Sequence, residues 1–258
     1  MKLIKGILSD IDGTLYFKGT PVPEAIETVD LLREKGIKLL FFTNTDSKTP
    51  KNVYKLLLEY GFQVKEEEIF TPIIALKEFL KDKTDAKLYL VTTEEVKEEF
   101  QEYYHVGGSE IPDYVIVGDF QDNWDVHRLN KAFRYVMKHK ALLLGTQGNK
   151  YYLDVNGEPV IDTGSFVNMI AEAANVKPII FGKPSKDYFL QALKKLNLLA
   201  EDVIVVGDDI ETDILGAQNS NFRGILVKTG KGQFYNSTGG TIIPHKVIDS
   251  FSSLTDLI

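Results

Sequence analysis

The architecture this sequence predicts is an α/β fold, a mostly parallel sheet covered by helices on both faces, and three observations predict it. Short apolar runs of strand length alternate with stretches of helical spacing. The run at residues 37–42 is continuously apolar, as a strand buried on both faces is. The alternation occurs at both ends of the chain, and a separate βα rhythm between them predicts an inserted second unit.

Residues 3–9 form the first short apolar run, and residues 23–35 follow with Ile26, Val29 and Leu32 at helical spacing and a stop at Gly36. After the strand at 37–42 comes the polar segment Thr43-Asn44-Thr45-Asp46-Ser47, then a helix over 50–60 closed by Gly61. The late half repeats the scheme: a strand at 179–181, a helix over 186–196, a strand at 203–206, a helix after Glu211 and a strand at 225–228, all expected in the same sheet as the first strands. Between the halves lie strands at 87–91, 114–117 and 141–144, a Glu-rich helix over 94–104 and a helix over 126–138. Asn156-Gly157, between runs at 151–155 and 159–161, predicts a two-residue hairpin turn. Residues 231–240 read as an irregular loop.

Composition narrows the function classes. The chain has 258 residues, 43% hydrophobic and 26% charged, enough to bury one large or two modest cores. No stretch reaches the ~20 apolar residues a membrane span needs, so no membrane partner is expected. The start of the chain leaves no room for a signal peptide, and the absence of cysteine excludes disulfides and thiolate chemistry; a cytoplasmic location is expected. A net charge of −7 argues against a nucleic-acid partner.

Chemistry-bearing residues concentrate at strand ends, where open α/β sheets bind ligands. Asp10 and Asp12, two apart beside Gly13, can serve one reacting centre. A second acidic string, with Asp208, Asp209, Glu211 and Asp213, follows the strand at 203–206. Carboxylates held that close repel one another unless a cation lies among them, and oxygen-only ligation suits magnesium. Lys183 supplies a positive charge at a third strand end, while Thr43 and the backbone N–H groups of Asn44 and Thr45 supply donors for phosphate oxygens. Nucleophile, proton donor, charge neutralisation and oxygen positioning are the four needs of phosphoryl transfer.

At these residues the chain resembles the haloacid dehalogenase superfamily, whose phosphatases carry four motifs. They stand here in order as Asp10-Ile11-Asp12-Gly13-Thr14-Leu15, Phe42-Thr43-Asn44, Gly182-Lys183-Pro184, and Gly207-Asp208-Asp209 with Asp213. The pattern is most similar to the NagD-type branch, which has a large α/β cap of the C2 type between the second and third motifs. The resemblance implies a Rossmann-like core formed by residues 1–76 and 179–258, with the cap at 77–178. It implies that Asp10 is the nucleophile that forms an aspartyl-phosphate and Asp12 the general acid and then base. Magnesium is implied at the Asp10 side chain, the Asp12 backbone carbonyl and the Asp208 carboxylate, with Asp213 ligating through water or orienting that shell. Thr43 and the Asn44 backbone are implied to grip the phosphoryl group, and Lys183 to bridge nucleophile and phosphate. The carboxylate at Asp12 favours phosphate esters over carbon–halogen cleavage.

The expected partner is a small phosphorylated substrate such as a sugar phosphate, nucleotide, pyridoxal phosphate or pyrophosphate, and family habit adds a homodimer through the caps. Within the cap the branch's Thr-Asn-x-Asp and Pro-Gly-x-Gly strings read Thr146-Gln147-Gly148-Asn149 and Asp162-Thr163-Gly164-Ser165. Gln147, Tyr151 and Tyr152 are candidates to face the substrate. Asp46, Asp209 and Glu211 are read as capping or surface acids, and Trp124, Phe133 and Tyr135 as cap packing. Two other readings stand beside a phosphatase. A phospho-signalling receiver is opposed by the length and by Asp10 lying in the first strand; a weakly catalytic or non-catalytic phosphate-ligand-binding protein is separated only by turnover rates.

Overall fold

The computed structural model describes residues 4–120, 125–154, 156–236 and 240–258. In chain order the elements are β1 (Gly6–Ser9), β2 (Tyr16–Phe17), β3 (Thr20–Pro21), α1 (Ala25–Glu34), β4 (Lys38–Phe42), α2 (Pro50–Glu59), β5 (Ile69–Phe70) and α3 (Pro72–Leu80). There follow β6 (Lys87–Val91), α4 (Glu94–Glu98), β7 (Tyr104–His105), β8 (Tyr114–Val117), α5 (Val126–His139), β9 (Leu142–Gly145), β10 (Tyr151–Leu153), β11 (Pro159–Ile161) and α6 (Thr163–Ala174). The last are β12 (Ile179–Ile180), α7 (Lys186–Leu196), β13 (Val203–Gly207), α8 (Leu215–Asn219), β14 (Arg223–Val227) and β15 (Lys246–Ile248).

Local chemistry sets several of these boundaries. Both α2 and α3 begin with Thr-Pro. The threonine hydroxyl accepts from the backbone N–H three residues on, Thr49 from Asn52 and Thr71 from Ile74, while the proline needs no donor at the first helical position. Asn175 and Asn197 close α6 and α7 in the left-handed conformation that asparagine tolerates better than most residues.

The elements build two large sheets and two antiparallel two-stranded ribbons, β2-β3 and β10-β11. The first large sheet is six-stranded and parallel in the order β15-β14-β13-β1-β4-β5. Its central strand β1 pairs with β13 on one side and β4 on the other, Ser9 lying opposite both Val206 and Phe41. Chain order reverses across β1, which opens a crevice at the carboxyl ends of its strands. The second sheet is five-stranded, parallel, in the order β12-β9-β8-β6-β7. One apolar cluster, with Phe42, Phe70 and Tyr188, runs into Leu88, Phe100 and Tyr103 of the second sheet's layer, so the two units share packed surface. Separate clusters fill the opposite faces of the two sheets. Among the described residues, no helix is long and apolar enough to cross a membrane.

Four features differ from the sequence reading. The strand at 179–181 was expected in the same sheet as the first strands but pairs, as Ile179–Ile180, with β9 of the second sheet, because its backbone meets Leu144 and Gly145 before Gly182 carries the chain across. The Glu-rich helix ends at Glu98; Phe100 and Tyr103 turn inward, and Tyr104–His105 pairs with Lys87 and Leu88 at the sheet edge. The Asn156-Gly157 connection is wider than a two-residue turn. The Asp154 carboxylate accepts from the N–H groups of Asn156 and Glu158, and Asp154 N–H donates to Glu158 C=O. The helix after Glu211 begins as a wide turn at Ile210–Ile214 before α8. Trp124, Val155 and residues 237–239 of the expected loop lie outside the described residues.

Candidate active site

The carboxyl ends of β1, β4 and β13 bring together the residues that the sequence singles out. Asp10 follows β1, its N–H donating to Val206 C=O at 2.8 Å, and Thr43 and Asn44 follow β4. Asp208 follows β13, and Asp213 returns from the wide turn behind it. The chain turns beneath this cluster at Gly13, whose φ of +86° suits glycine and whose hydrogen points at Asp208; a methyl there would lie 2.2 Å from Asp208 Oδ2. Gly207 gives Asp213 the same close approach.

Lys183 is the electrostatic hub. It is 2% exposed, and its ammonium donates to Asp10 Oδ1 and to Asp213 Oδ1, each at 2.6 Å. Burial works against that charge, but the Asp10 and Asp213 carboxylates outweigh it and hold the ammonium well above the usual lysine range. Asp213 is also pushed up, to about 7, because burial outweighs the pull of Lys183 and Asp10 adds repulsion. Asp208 is held well above the usual carboxylate range, first by burial and then by the charges of Asp10, Asp213 and Asp209. Oxygen atoms of Asp10, Asp208 and Asp213 lie within 4.8 Å of one another. An all-oxygen, carboxylate-rich donor set whose members repel one another fits a hard divalent cation, which relieves the repulsion that one lysine leaves over.

Asp12 stands on the cleft floor, outside that trio of carboxylates. Its carboxyl is pushed up to about 7, first by the protein walls that displace water around it and then by the Asp10 charge. More than a third of the residue remains open to the cleft, so water tempers the first of these causes. A carboxyl in that condition can hold a proton near neutral pH and still reach a ligand.

The phosphate-loop candidates are fixed from behind. Tyr188 is buried under Phe42 and Phe70, and its hydroxyl lies 2.7 Å from Thr43 C=O and 3.0 Å from Phe70 C=O. The Asn44 side chain clasps the Lys183 backbone, accepting from its N–H at 2.7 Å and donating to its C=O at 3.0 Å. This clasp sets the lysine's starting point. The expected N–H of Thr45 is instead turned to Thr43 Oγ1 at 3.0 Å, the local bond a threonine readily makes to the backbone two residues on.

A cavity of about 900 Å³ lies between the two sheets, with Asp10, Asp12 and Lys183 on one side and Gln147, Tyr152 and Ile161 on the other. Gln147 is buried and donates to Asp162 at 2.7 Å, whereas Tyr151 and Tyr152 stand exposed on the β10–β11 hairpin. Three residues play larger parts than sequence reasoning gave them. Asp46, read as a capping or surface acid, is 3% exposed and bonded across the cleft; Asp209, read likewise, is buried and pairs with Lys231 at 2.6 Å. Lys231 also donates its backbone N–H to Asp208 Oδ2 at 2.6 Å and its ammonium to Tyr151 C=O at 2.7 Å. Its only sequence signal was a lysine between two glycines. Glu211, the third acid of that reading, is exposed and pairs with Lys150 at 2.8 Å.

Comparison with known proteins adds independent observations. The sequence profile of the haloacid dehalogenase-like hydrolase family matches residues 7–105, and a related profile described as HAD-hydrolase-like matches residues 180–254. Mouse haloacid dehalogenase-like hydrolase domain-containing protein 2 is 30% identical over 257 residues, covering 100% of this chain and 96% of that protein. The 5'-nucleotidase YutF of Bacillus subtilis is 29% identical, covering 98% of each. Among solved structures, the p-nitrophenyl phosphatase from Archaeoglobus fulgidus superposes with a TM-score of 0.87 at 26% identity, covering 99% of this chain and 100% of that one.

Proposed function

The chain belongs to the haloacid dehalogenase-like hydrolase family, and from that premise we propose that it hydrolyses small phosphate monoesters through an aspartyl-phosphate on Asp10 with magnesium as cofactor. The observation that carries this reading is the buried Lys183 ammonium held 2.6 Å from both Asp10 and Asp213 beside the Asp208 carboxylate, an arrangement suited to an anionic nucleophile meeting an anionic substrate.

In this reading Asp10 attacks phosphorus in line with the ester oxygen, and Asp12 gives its proton to that oxygen as the alcohol leaves. Asp12 then takes a proton from the water that attacks the acyl phosphate, releasing inorganic phosphate and restoring Asp10. Thr43 and the Asn44 N–H hold the non-bridging oxygens, and Lys183 neutralises charge between nucleophile and phosphate. Asp10, Asp208 and the Asp12 carbonyl would hold the magnesium, with Asp213 directing that shell; the ion supplies charge neutralisation for nucleophile and phosphate alike. Residues 1–76 and 179–258 form the catalytic core in this proposal, and 77–178 the cap, with Ile179–Ile180 bonded to the cap's sheet. The names of the relatives support small phosphomonoesters as the substrate class. Pairing of two copies through the caps belongs to the same proposal, and sedimentation velocity reads it directly.

The test is release of 4-nitrophenol from its phosphate by wild type and Asp10→Asn, each with magnesium and with chelator. Turnover confined to magnesium-loaded wild type, with acid-stable label trapped on no residue but Asp10, is the expected result. Equal turnover by Asp10→Asn would sink the assignment of the nucleophile.

A further inference from the structure

The loop that carries Thr43 and Asn44 continues into a side chain the proposed chemistry does not use. Asp46 lies two residues past Asn44 and is almost fully buried. Its Oδ2 accepts hydrogen bonds from the Asp119 N–H at 3.1 Å, the Thr163 hydroxyl at 3.0 Å and the Thr146 hydroxyl. These donors stand just past β8, at the N-terminus of α6 and just past β9, three separate elements around the second sheet. A buried carboxylate is costly without donors, so the conformation of this loop depends on the second sheet being seated against it.

The neighbouring residues of the loop are fastened in the same direction. The Asn44 side chain donates to Asn149 at 2.9 Å, and Ser47 C=O accepts from the Thr93 hydroxyl at 3.1 Å. Glu95 accepts from Thr49 N–H at 2.6 Å and from the Asn52 amide at 2.9 Å. Of these ties Asp46 is the most buried and takes donors from the most elements. Resting on the phosphatase reading above, we propose that Asp46 is a positioning residue that ties the phosphate-gripping loop to the cap, so that Thr43 and Asn44 are set for phosphate only while the cap is seated. Lifting the cap removes the donors, water takes their place around the carboxylate, and the loop loses the restraint that orients its hydroxyl and N–H groups. Cap closure and phosphate grip are then one event.

The experiment compares steady-state kinetics of wild type, Asp46→Ala, Asp46→Asn and the pair Thr146→Val with Thr163→Val on one small phosphomonoester, beside amide exchange of the same proteins. Asp46→Ala and the valine pair should each lower kcat by about 10- to 100-fold, the scale of a small misplacement of positioning groups. Combining them should cost no more than either alone, because they remove the same contacts. Asp46→Asn keeps an oxygen acceptor and should recover most of kcat, which a role for charge alone would not allow, while the valine pair keeps the packed volume and would leave kcat unchanged if packing alone mattered. Exchange at the Asp119 amide and in residues 43–45 should quicken together in Asp46→Ala and recover in Asp46→Asn, a readout that needs no turnover and stands apart from the phosphatase reading. Unchanged exchange at residues 43–45 overturns the proposal even if no substrate is ever turned over. A kcat for Asp46→Ala within about a factor of two of wild type also overturns it.

Discussion

Two parallel sheets of the same construction turn their carboxyl ends toward one cleft, yet they furnish it with opposite chemistry. The strands of the six-stranded sheet end in Asp10, Thr43 and Asp208, and with Asp213 the carboxylates are so crowded that Lys183 has to stand among them. Three central strands of the second sheet, β6, β8 and β9, end beside Thr92, Gly118 and Thr146, neutral residues, and the two threonine hydroxyls are spent on hydrogen bonds. Architecture places a ligand at the carboxyl edge in both; only the side chains at those strand ends decide whether the edge can do chemistry or can only hold its neighbour.

If that contrast is right, disturbing the charged edge should cost far more than disturbing the neutral one. The largest effect is expected for Lys183→Met, which strips the counter-charge from buried carboxylates. In chelator it should destabilise the protein by about 3–5 kcal/mol in denaturant titration, and a loss below about 1 kcal/mol would break the comparison. Next is magnesium itself: at a hundredfold excess over Kd it should stabilise wild type by about 2.7 kcal/mol, and much less in Asp208→Asn.

The pH dependence sharpens the same point. Asp213, ordinarily at 3.8, is raised to about 7, and Asp208 is raised too. The folded state therefore binds more protons than the unfolded state across that window, and the penalty, absent below about 4, is complete for Asp213 above about 7. Metal-free protein should lose stability as pH rises from about 5 to about 7.5, and magnesium should flatten the slope; a metal-free slope of opposite sign would contradict the crowding. On the neutral side, Gln147→Ala removes a bond to Asp162 and should cost only about 1–2 kcal/mol. The smallest effect is expected for Glu211→Gln. Its contact with Lys150 bridges the two units, but both side chains are more than half exposed, and thermal melts should move by no more than about 1 kcal/mol equivalent.

What was legible beforehand divides along the line between local and distant information. Asp10, Asp12, Thr43, Lys183 and Asp208 could be read because each stands just past a run whose own residues mark it as a strand, and Asp213 because it closes the acidic string that Asp208 begins; the crevice follows from that pattern. Asp46 could not, because a polar string after a strand looks like a solvated turn, and its donors arrive from positions 119, 146 and 163. Ile179–Ile180 looked like a core strand for the same reason: two apolar residues do not say which sheet they join, and the choice was made by β9. Tyr188 falls inside the helix expected over 186–196 with no local signal of its own, and its hydroxyl acquires meaning only beneath the Thr43 carbonyl.

The glycines under the carboxylates carry a last implication. A methyl group at Gly13 or Gly207 would fall 2.2 Å from a carboxylate atom, so the floor tolerates no side chain at either place. On the β10–β11 hairpin, by contrast, the side chains of Tyr151, Tyr152 and Ile161 are exposed. Under the proposed function, selection can therefore rework the hairpin while the floor stays fixed, so that recognition shifts without loss of the chemistry.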